Sequence, residues 1–399
     1  MRRREFLSVF AASALLSRAV RTADLPRDLK VTRVIGFDVV SQRSKIAGKN
    51  SRLDVHGDNA TDRMLRIDTN MGLTGIGNCR ADEAAGAQLL GKKPFDLYRE
   101  AETRMTGPLG PGTMPLWDLL GQAIRKPIHS LLGGKGVERV PVYDGSIYFA
   151  DLLPQYADRW EARFREEIDM GLALGHQAFK VKLGRGSKWM PRAAGDTRDA
   201  AVIKVIRDHA GPDVLIGVDA NNGYNLEGTK RLFETIGPLE IAFAEEMFEE
   251  TVDECLAFQE FLRASGWNTL VADGETQGNL EVFKPFIEAK AIEVYQADMN
   301  RFGFEGILQE AAWCAPQGLR VAPHNWGSLV GFYMQLHVGR AVPNFYRAEH
   351  DPLSNKVLIA EGYKIADGIS TLPDAPGAGL TINADAFAAD AKIRFDLKA

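Results

Sequence analysis

The segment HQAFKVKLGRG, residues 176–186, holds a short apolar run interrupted by lysines at alternate positions. Phe179 to Leu183 reads as a β-strand, and side chains alternate along a strand, so Lys180 and Lys182 share one face. On a solvated face the pair would mean little. On an interior face, two cations crowded together require a reason.

The chain around this segment has a regular beat. From Val140 onward eight short apolar stretches recur: VPVYDGS, AFKVK, VLIGVDAN, IAFAEE, LVADGE, IEVYQAD, LRVAPHN and FYRAEH. Their polar ends fall at Asp144, Lys182, Asp219, Glu245, Glu275, Asp298, His324 and Glu349. Most gaps are about 25 to 30 residues, the length of one strand, one helix and two turns. The intervening segments look helical; DTRDAAVIKVIRDHAG, residues 196–211, opens on a capping Asp or Thr, spaces its apolar residues as a helix does and closes on Gly. Eight such units predict a closed parallel α/β barrel, a TIM-type fold whose active site lies at the C-terminal ends of the strands. The lysine pair then faces the barrel axis at the mouth.

Residues 30–135 lack this beat. RVIGFDVV and DRMLRIDTNMGLTGIGNCR read as antiparallel strands with a turn at Met71-Gly72, and PLWDLLGQAIRKPIHSLLGG reads as helix ending at Gly133-Gly134. This is a separate α+β region. The expected division is a signal over residues 1–23, the α+β region over 24–138, the barrel over 139–365, and a tail over 366–399 that folds back on the α+β region.

The amino terminus, MRRREFLSVFAASALLSRAVRTA, has a basic start and the short apolar run Leu7 to Leu16, the layout of an export signal rather than a membrane span. Arg3-Arg4-Glu5-Phe6-Leu7 resembles a twin-arginine signal, so export is expected, with no stable membrane insertion. The 399 residues carry a net charge of −5, which gives no footprint for nucleic acid. Three widely separated cysteines, Cys79, Cys255 and Cys314, make neither a disulfide framework nor a zinc ribbon. A homo-oligomer is expected.

Asp219, Glu245 and Glu275 end three consecutive strands, about 4.8 Å apart, and can converge on one ion. Three hard oxygen donors favour Mg²⁺ or Mn²⁺ over Zn²⁺, and without a cation they would repel one another. Asp273, two residues before Glu275, lies on the same face by alternation and is a further candidate as ligand or supporting partner, whereas alternation should send Glu246, beside Glu245, to the other face. Lys180 and Lys182 lie one strand before this set, and Asp298 and His324 one and two strands after it. A histidine backed by a carboxylate serves as acid or base near neutral pH, and a lysine beside another cation is expected to have a lowered pKa.

These motifs together, KVK, VDAN, AEE, DGE, Asp298 and PHNWGS, with MGLTGIGNC, LWDLLGQAIRKPIHSLLGG and PDAPGAGL, resemble the enolase superfamily, specifically its mandelate racemase subgroup. The resemblance implies an α+β capping domain, completed by the C-terminal tail, over a modified (β/α)7β barrel. It implies Mg²⁺ on Asp219, Glu245 and Glu275, a base at Lys182 with Lys180 beside it, and an acid or base at His324 paired with Asp298. Glu349 would hydrogen-bond the developing enediolate, and Asn221 would support the lysine or the substrate. Specificity would come from the loop Gly48 to Ala60, in which Asp54, His56, Asp58 and Asn59 can read hydroxyl groups, with Arg185 or Trp189 added to the rim. Met247 stands where the family usually has proline, and Phe302-Gly303-Phe304 replaces paired glycines.

The expected substrate is a small carboxylate, most simply an acid sugar. Two proton-transfer groups on opposite faces permit dehydration, which is favoured; they also permit racemisation or epimerisation, or lactone cycloisomerisation. An exported binding protein that has lost catalysis is the alternative from another class, opposed by the presence of every ligand and base.

Overall fold

The computed structural model describes residues 25–399, so the expected signal over residues 1–23 lies outside the described residues. The chain first lays down an antiparallel meander, β1 (Val31–Ala47), β2 (Gly57–Thr69) and β3 (Thr74–Asn78). The β2–β3 turn runs through Gly72 at φ +73°, a left-handed conformation that glycine adopts without strain. Helix α1 (Met114–Ile124) presses on β3 at Gly75, where an added Cβ would sit 2.2 Å from the Pro115 carbonyl oxygen. Phe37, Met64, Leu65, Ile67, Leu116 and Trp117 are fully buried between sheet and helices.

The barrel follows, in strands β4 (Val140–Ile147), β5 (Ala178–Lys182), β6 (Leu215–Asp219), β7 (Ile241–Glu245), β8 (Leu270–Asp273), β9 (Val294–Tyr295), β10 (Arg320–Val321) and β11 (Ala348–His350). Between them run α2 (Trp160–Ala173), α3 (Arg192–Ala210), α4 (Leu226–Ile236), α5 (Val252–Ala264), α6 (Lys284–Ala289), α7 (Met299–Cys314) and α8 (Leu329–Ala341). Every neighbouring pair is parallel. The ring closes where Val321 bridges Phe345 in parallel and the Tyr346 N–H donates to the Val321 carbonyl at 2.8 Å. This is the (β/α)7β barrel. Its floor is filled by Tyr143, Phe243, Ala272, Val294 and Ala322, while Phe179, Val181, Ile216 and Val218 pack outward under the helices.

Two local expectations are corrected. α3 starts at Arg192, so Asp196 and Thr197 lie inside the helix; Pro191, with no N–H to satisfy, precedes it. Asp144 does not point into the mouth. Its carboxylate accepts from the Ser146 hydroxyl and backbone and lies toward Gly171 of α2, because Tyr143 takes the inward position opposite Glu349.

The tail ties both units together. A strand at β12 (Ile369–Thr371) pairs antiparallel with the start of β4, and β13 (Lys392–Lys398) pairs with β1, the Phe395 ring filling the space a side chain at Gly36 would need. No helix among the described residues is long and apolar enough to cross a membrane.

Candidate metal centre and catalytic mouth

Register places the lysines and acids on one inner face. Lys182 is paired with Asp219, Asp219 with Glu245, and Glu245 with Ala272. Paired residues of a parallel sheet point the same way, so the β8 residue facing inward is Ala272, and Asp273 faces outward. Glu275 therefore does not arrive by strand alternation from Asp273. Gly274, at φ +143°, turns the chain and swings Glu275 in. One carboxylate oxygen each from Asp219, Glu245 and Glu275 then lies within 4.8 Å of the others.

Lys180 is buried among three acids, its Nζ 2.6 Å from Glu245 Oε1, 2.7 Å from Glu349 Oε1 and 3.1 Å from Asp219 Oδ2. The Lys182 ammonium pairs with Asp219 and donates to Asn221 Oδ1 at 2.9 Å. Burial pushes both ammonium groups down, yet the carboxylates pull harder and the net direction is upward for each. This corrects the expectation that crowding two lysines lowers the pKa; their mutual repulsion is the smaller effect beside Asp219 and Glu245.

On the other side of the ligand set, Asp298 caps α7 by accepting the Arg301 N–H at 2.7 Å, and its other oxygen holds His324 Nδ1 at 2.7 Å. His324 Nε2 is thereby aimed at Glu275 Oε2, 2.9 Å away. Burial pushes the imidazole down, but Glu275, Glu349 and Asp298 carry its pKa well above the ordinary value. Glu349 accepts the Asn325 N–H at 2.8 Å through Oε2, which ties β11 to the loop bearing His324.

The acids fit a divalent cation. Asp219, Glu245, Glu246, Glu275 and Glu349 crowd around two lysines and one imidazole, with Asp273 buried behind them on the outward face of β8. Burial, then Glu275 and Asp219, push Glu246 up to about 8, and Glu245 and Asp273 also stand well above the carboxylate range. Glu246 Oε1 and Asp273 Oδ1 are buried with no hydrogen-bond partner. A surplus of buried negative charge on hard oxygens is what Mg²⁺ neutralises. Glu246, in a left-handed turn at φ +41°, stays beside the set through the Asn221 amide at 3.2 Å, and Asp273 faces α5, raised by burial and then by Glu246 and Glu250; neither belongs to the converging triad.

Residues 163–386 match the family model described as Enolase C-terminal domain-like. The chain is a member of the enolase superfamily. It is similar to D-galactarolactone cycloisomerase of Agrobacterium fabrum, 30% identical over 285 residues, covering 68% of this chain and 70% of that protein. A mutant galacturonate dehydratase from Geobacillus sp., solved in complex with Mg, superposes with a TM-score of 0.86 at 30% identity, covering 94% of this chain and 100% of that one. The same enzyme with D-galacturonate and 5-keto-4-deoxy-D-galacturonate gives a TM-score of 0.82 at 31% identity, covering 90% and 96%.

In this enolase-superfamily member the capping loop divides its candidates. Asp54 is exposed and held outward by Lys49 at 3.0 Å. Asp58 and Asn59 are exposed as well. His56 turns inward, its ring edge against Tyr148 (centroids 4.8 Å) and Trp326 (5.8 Å), with Nε2 buried and unpartnered. Arg185 is not a rim residue: it is fully buried on Asp151 and Asp199 and donates to the Lys182 carbonyl, so it braces the end of β5. Trp189 does reach the loop, donating to the Asn50 carbonyl at 2.6 Å with Lys49 over its ring.

Sequence reasoning missed Tyr148, Trp326, Arg43 and Asp62. Tyr148 and Trp326 stack at 4.5 Å, and Arg43 covers Trp326 from the capping domain while bound to Asp351 at 2.6 Å. Asp62 of β2 accepts from the Ser328 hydroxyl and the Leu329 N–H, so the capping domain closes the N-terminus of α8 just after the His324 loop. The Trp within PHNWGS was the available signal for Trp326; nothing local marks the others.

Proposed function

We propose that this enolase-superfamily member is an acid-sugar dehydratase that removes the proton next to a carboxylate and eliminates water. The observation that carries this reading is the placement of Lys182 and His324 on opposite sides of one carboxylate triad, at the end of the second strand of the ring and in the loop after the seventh. Asp219, Glu245 and Glu275 would hold Mg²⁺, with Mn²⁺ as the other hard cation they suit. When bound, the cation supplies positive charge that offsets the charge of an enediolate.

Lys182 Nζ takes the α-proton. A cation held by Asp219 would weaken the pull that raises the Lys182 pKa. The electron pair left on the α-carbon is drawn toward the carboxylate, where Lys180 adds a fixed positive charge between Glu245 and Glu349. The Cβ–O bond then breaks, and His324 Nε2 delivers its proton to the departing hydroxyl while Asp298 holds Nδ1. The resulting enol tautomerises to a 2-keto-3-deoxy acid. The pair bound by the Geobacillus enzyme, D-galacturonate and 5-keto-4-deoxy-D-galacturonate, differs by this change at the two carbons nearest the carboxylate. Cycloisomerisation is the second reading, supported by the Agrobacterium relative; it shares proton removal beside the carboxylate.

A panel of uronic, aldonic and aldaric acids in D₂O with Mg²⁺ tests the reading by proton NMR. Deuterium at the α-carbon or a 2-keto product supports it. Tight Mg²⁺ binding with no exchange from any acid overturns it. We also propose export through the twin-arginine-like start, which a reporter fused to residues 1–23 tests: changing Arg3 and Arg4 to lysine should keep the reporter in the cytoplasm.

A further inference from the structure

Above the ligand set rises a wall of three rings from three parts of the chain: Tyr148 just after β4, Trp326 in the loop after β10, and His56 of the capping loop. It begins at the base, with Lys182 Nζ 5.3 Å from the Tyr148 ring centre. A substrate whose carboxylate and α-carbon lie between Lys182 and His324 extends the rest of its chain toward this wall.

Among the described residues no free cation stands in the wall. Lys180 and Lys182 are paired to acids of the site. Arg43, behind Trp326, places Nε and Nη2 on Asp351 at 2.8 and 2.6 Å and Nη1 on the Asn59 carbonyl at 2.8 Å. Arg52 and Lys188 are exposed to water. Arg80 lines a different cleft, of about 510 Å³, with Asn300 and Arg301. The buried polar atom of the wall without a partner is His56 Nε2. Burial, then Lys182 and Arg43, push this imidazole down to about 4, so it is neutral at pH 7. A neutral ring nitrogen matches a hydroxyl or ring oxygen. A second carboxylate placed there would lose its water without gaining a counter-charge.

We infer that the His56–Tyr148–Trp326 wall selects acid sugars whose end remote from the reacting carboxylate is uncharged, with His56 as the residue that reads it. The inference rests on the proposed reaction for the orientation of the substrate, and it concerns binding, which is measured separately from turnover.

Calorimetry on the Mg²⁺-loaded protein with galacturonate, galactonate and galactarate tests it. The two monocarboxylates should bind about tenfold or more tighter than the dicarboxylate, with loss of about tenfold in His56→Phe, the scale of one hydrogen bond. His56→Gln, which restores a hydrogen-bonding group, should recover most of that loss, and His56→Lys should favour galactarate. Galactarate binding as tightly as galacturonate overturns the inference, as does a His56→Phe variant of unchanged melting temperature that binds both monocarboxylates normally. If the binding order holds while no acid exchanges its α-proton, the reaction is wrong and the selectivity stands.

Discussion

His324 Nε2 lies 2.9 Å from Glu275 Oε2, which joins the proposed acid to a member of the proposed metal-binding triad. The contact is made by a glycine turn rather than by a strand, since Gly274 brings Glu275 inward. The same carboxylate is thus asked to serve a cation and an imidazolium. Replacing it with an amide removes both services. Glu275→Gln should weaken Mg²⁺ binding and lower turnover by about 10³-fold or more. Titration of Mg²⁺ against activity checks this; wild-type affinity and rate in the variant would remove Glu275 from the site.

Lys182 and His324 should fail differently. Lys182→Met should lose α-proton exchange and dehydration together, by about 10²–10⁴-fold. His324→Asn should lose dehydration by a similar factor and keep exchange, because its proton goes to the leaving hydroxyl. Proton NMR in D₂O separates the two. Equal loss of exchange in both variants would favour a two-base racemase instead.

Gly303 interrupts α7 with φ +63° and ψ −168°, a conformation that L side chains resist. A Cβ there would also meet the Pro111 carbonyl oxygen at 2.1 Å. Gly303→Ala should cost about 2–4 kcal/mol. Denaturant unfolding reads this directly. An unchanged midpoint would show that the α7 kink and its contact with the capping domain adjust freely.

His337 and His129 stack where α8 meets the tail, with the His129 N–H donating to His337 Nδ1 at 3.3 Å and Tyr363 OH 3.0 Å from His337 Nε2. Burial pushes His337 down to about 3 and His129 to about 4, from 6.5 when unfolded. The unfolded chain therefore binds more protons below pH 6.5, and stability falls as the pH drops through that value. Each unit below 6.5 costs up to about 1.4 kcal/mol per histidine. The melting temperature should fall between pH 7.5 and 5, and less steeply in His337→Gln. Parallel slopes in the two proteins would exclude this pair as the cause.

Part of the site was legible because strand alternation and the repeat length are local. Lys180 and Lys182 declare a shared face within five residues, and the rhythm of strand ends brings Asp219, Glu245, Asp298 and His324 to one mouth. Errors arose where a single dihedral or a partner elsewhere in the chain decides. Alternation alone sets Asp273 on the face of Glu275, but the positive φ at Gly274, which spacing does not show, separates them. Asp54 and His56 sit two residues apart, yet Lys49 holds one in water while Tyr148 and Trp326 cover the other.

The sequence by itself carried the strand rhythm of the barrel and the order of the acids and bases at the strand ends, because periodicity carries residue order directly into position around a ring. The tertiary structure alone decided the balance of charge and the character of the far wall. Whether Lys182 is pushed up or down depends on burial and Lys180 set against Asp219 and Glu275, groups that only the fold brings beside it. Whether a free cation stands behind the far wall depends on Arg43 meeting Asp351, 308 residues away. Electrostatic energy follows distance in space, and a sequence states only distance along the chain.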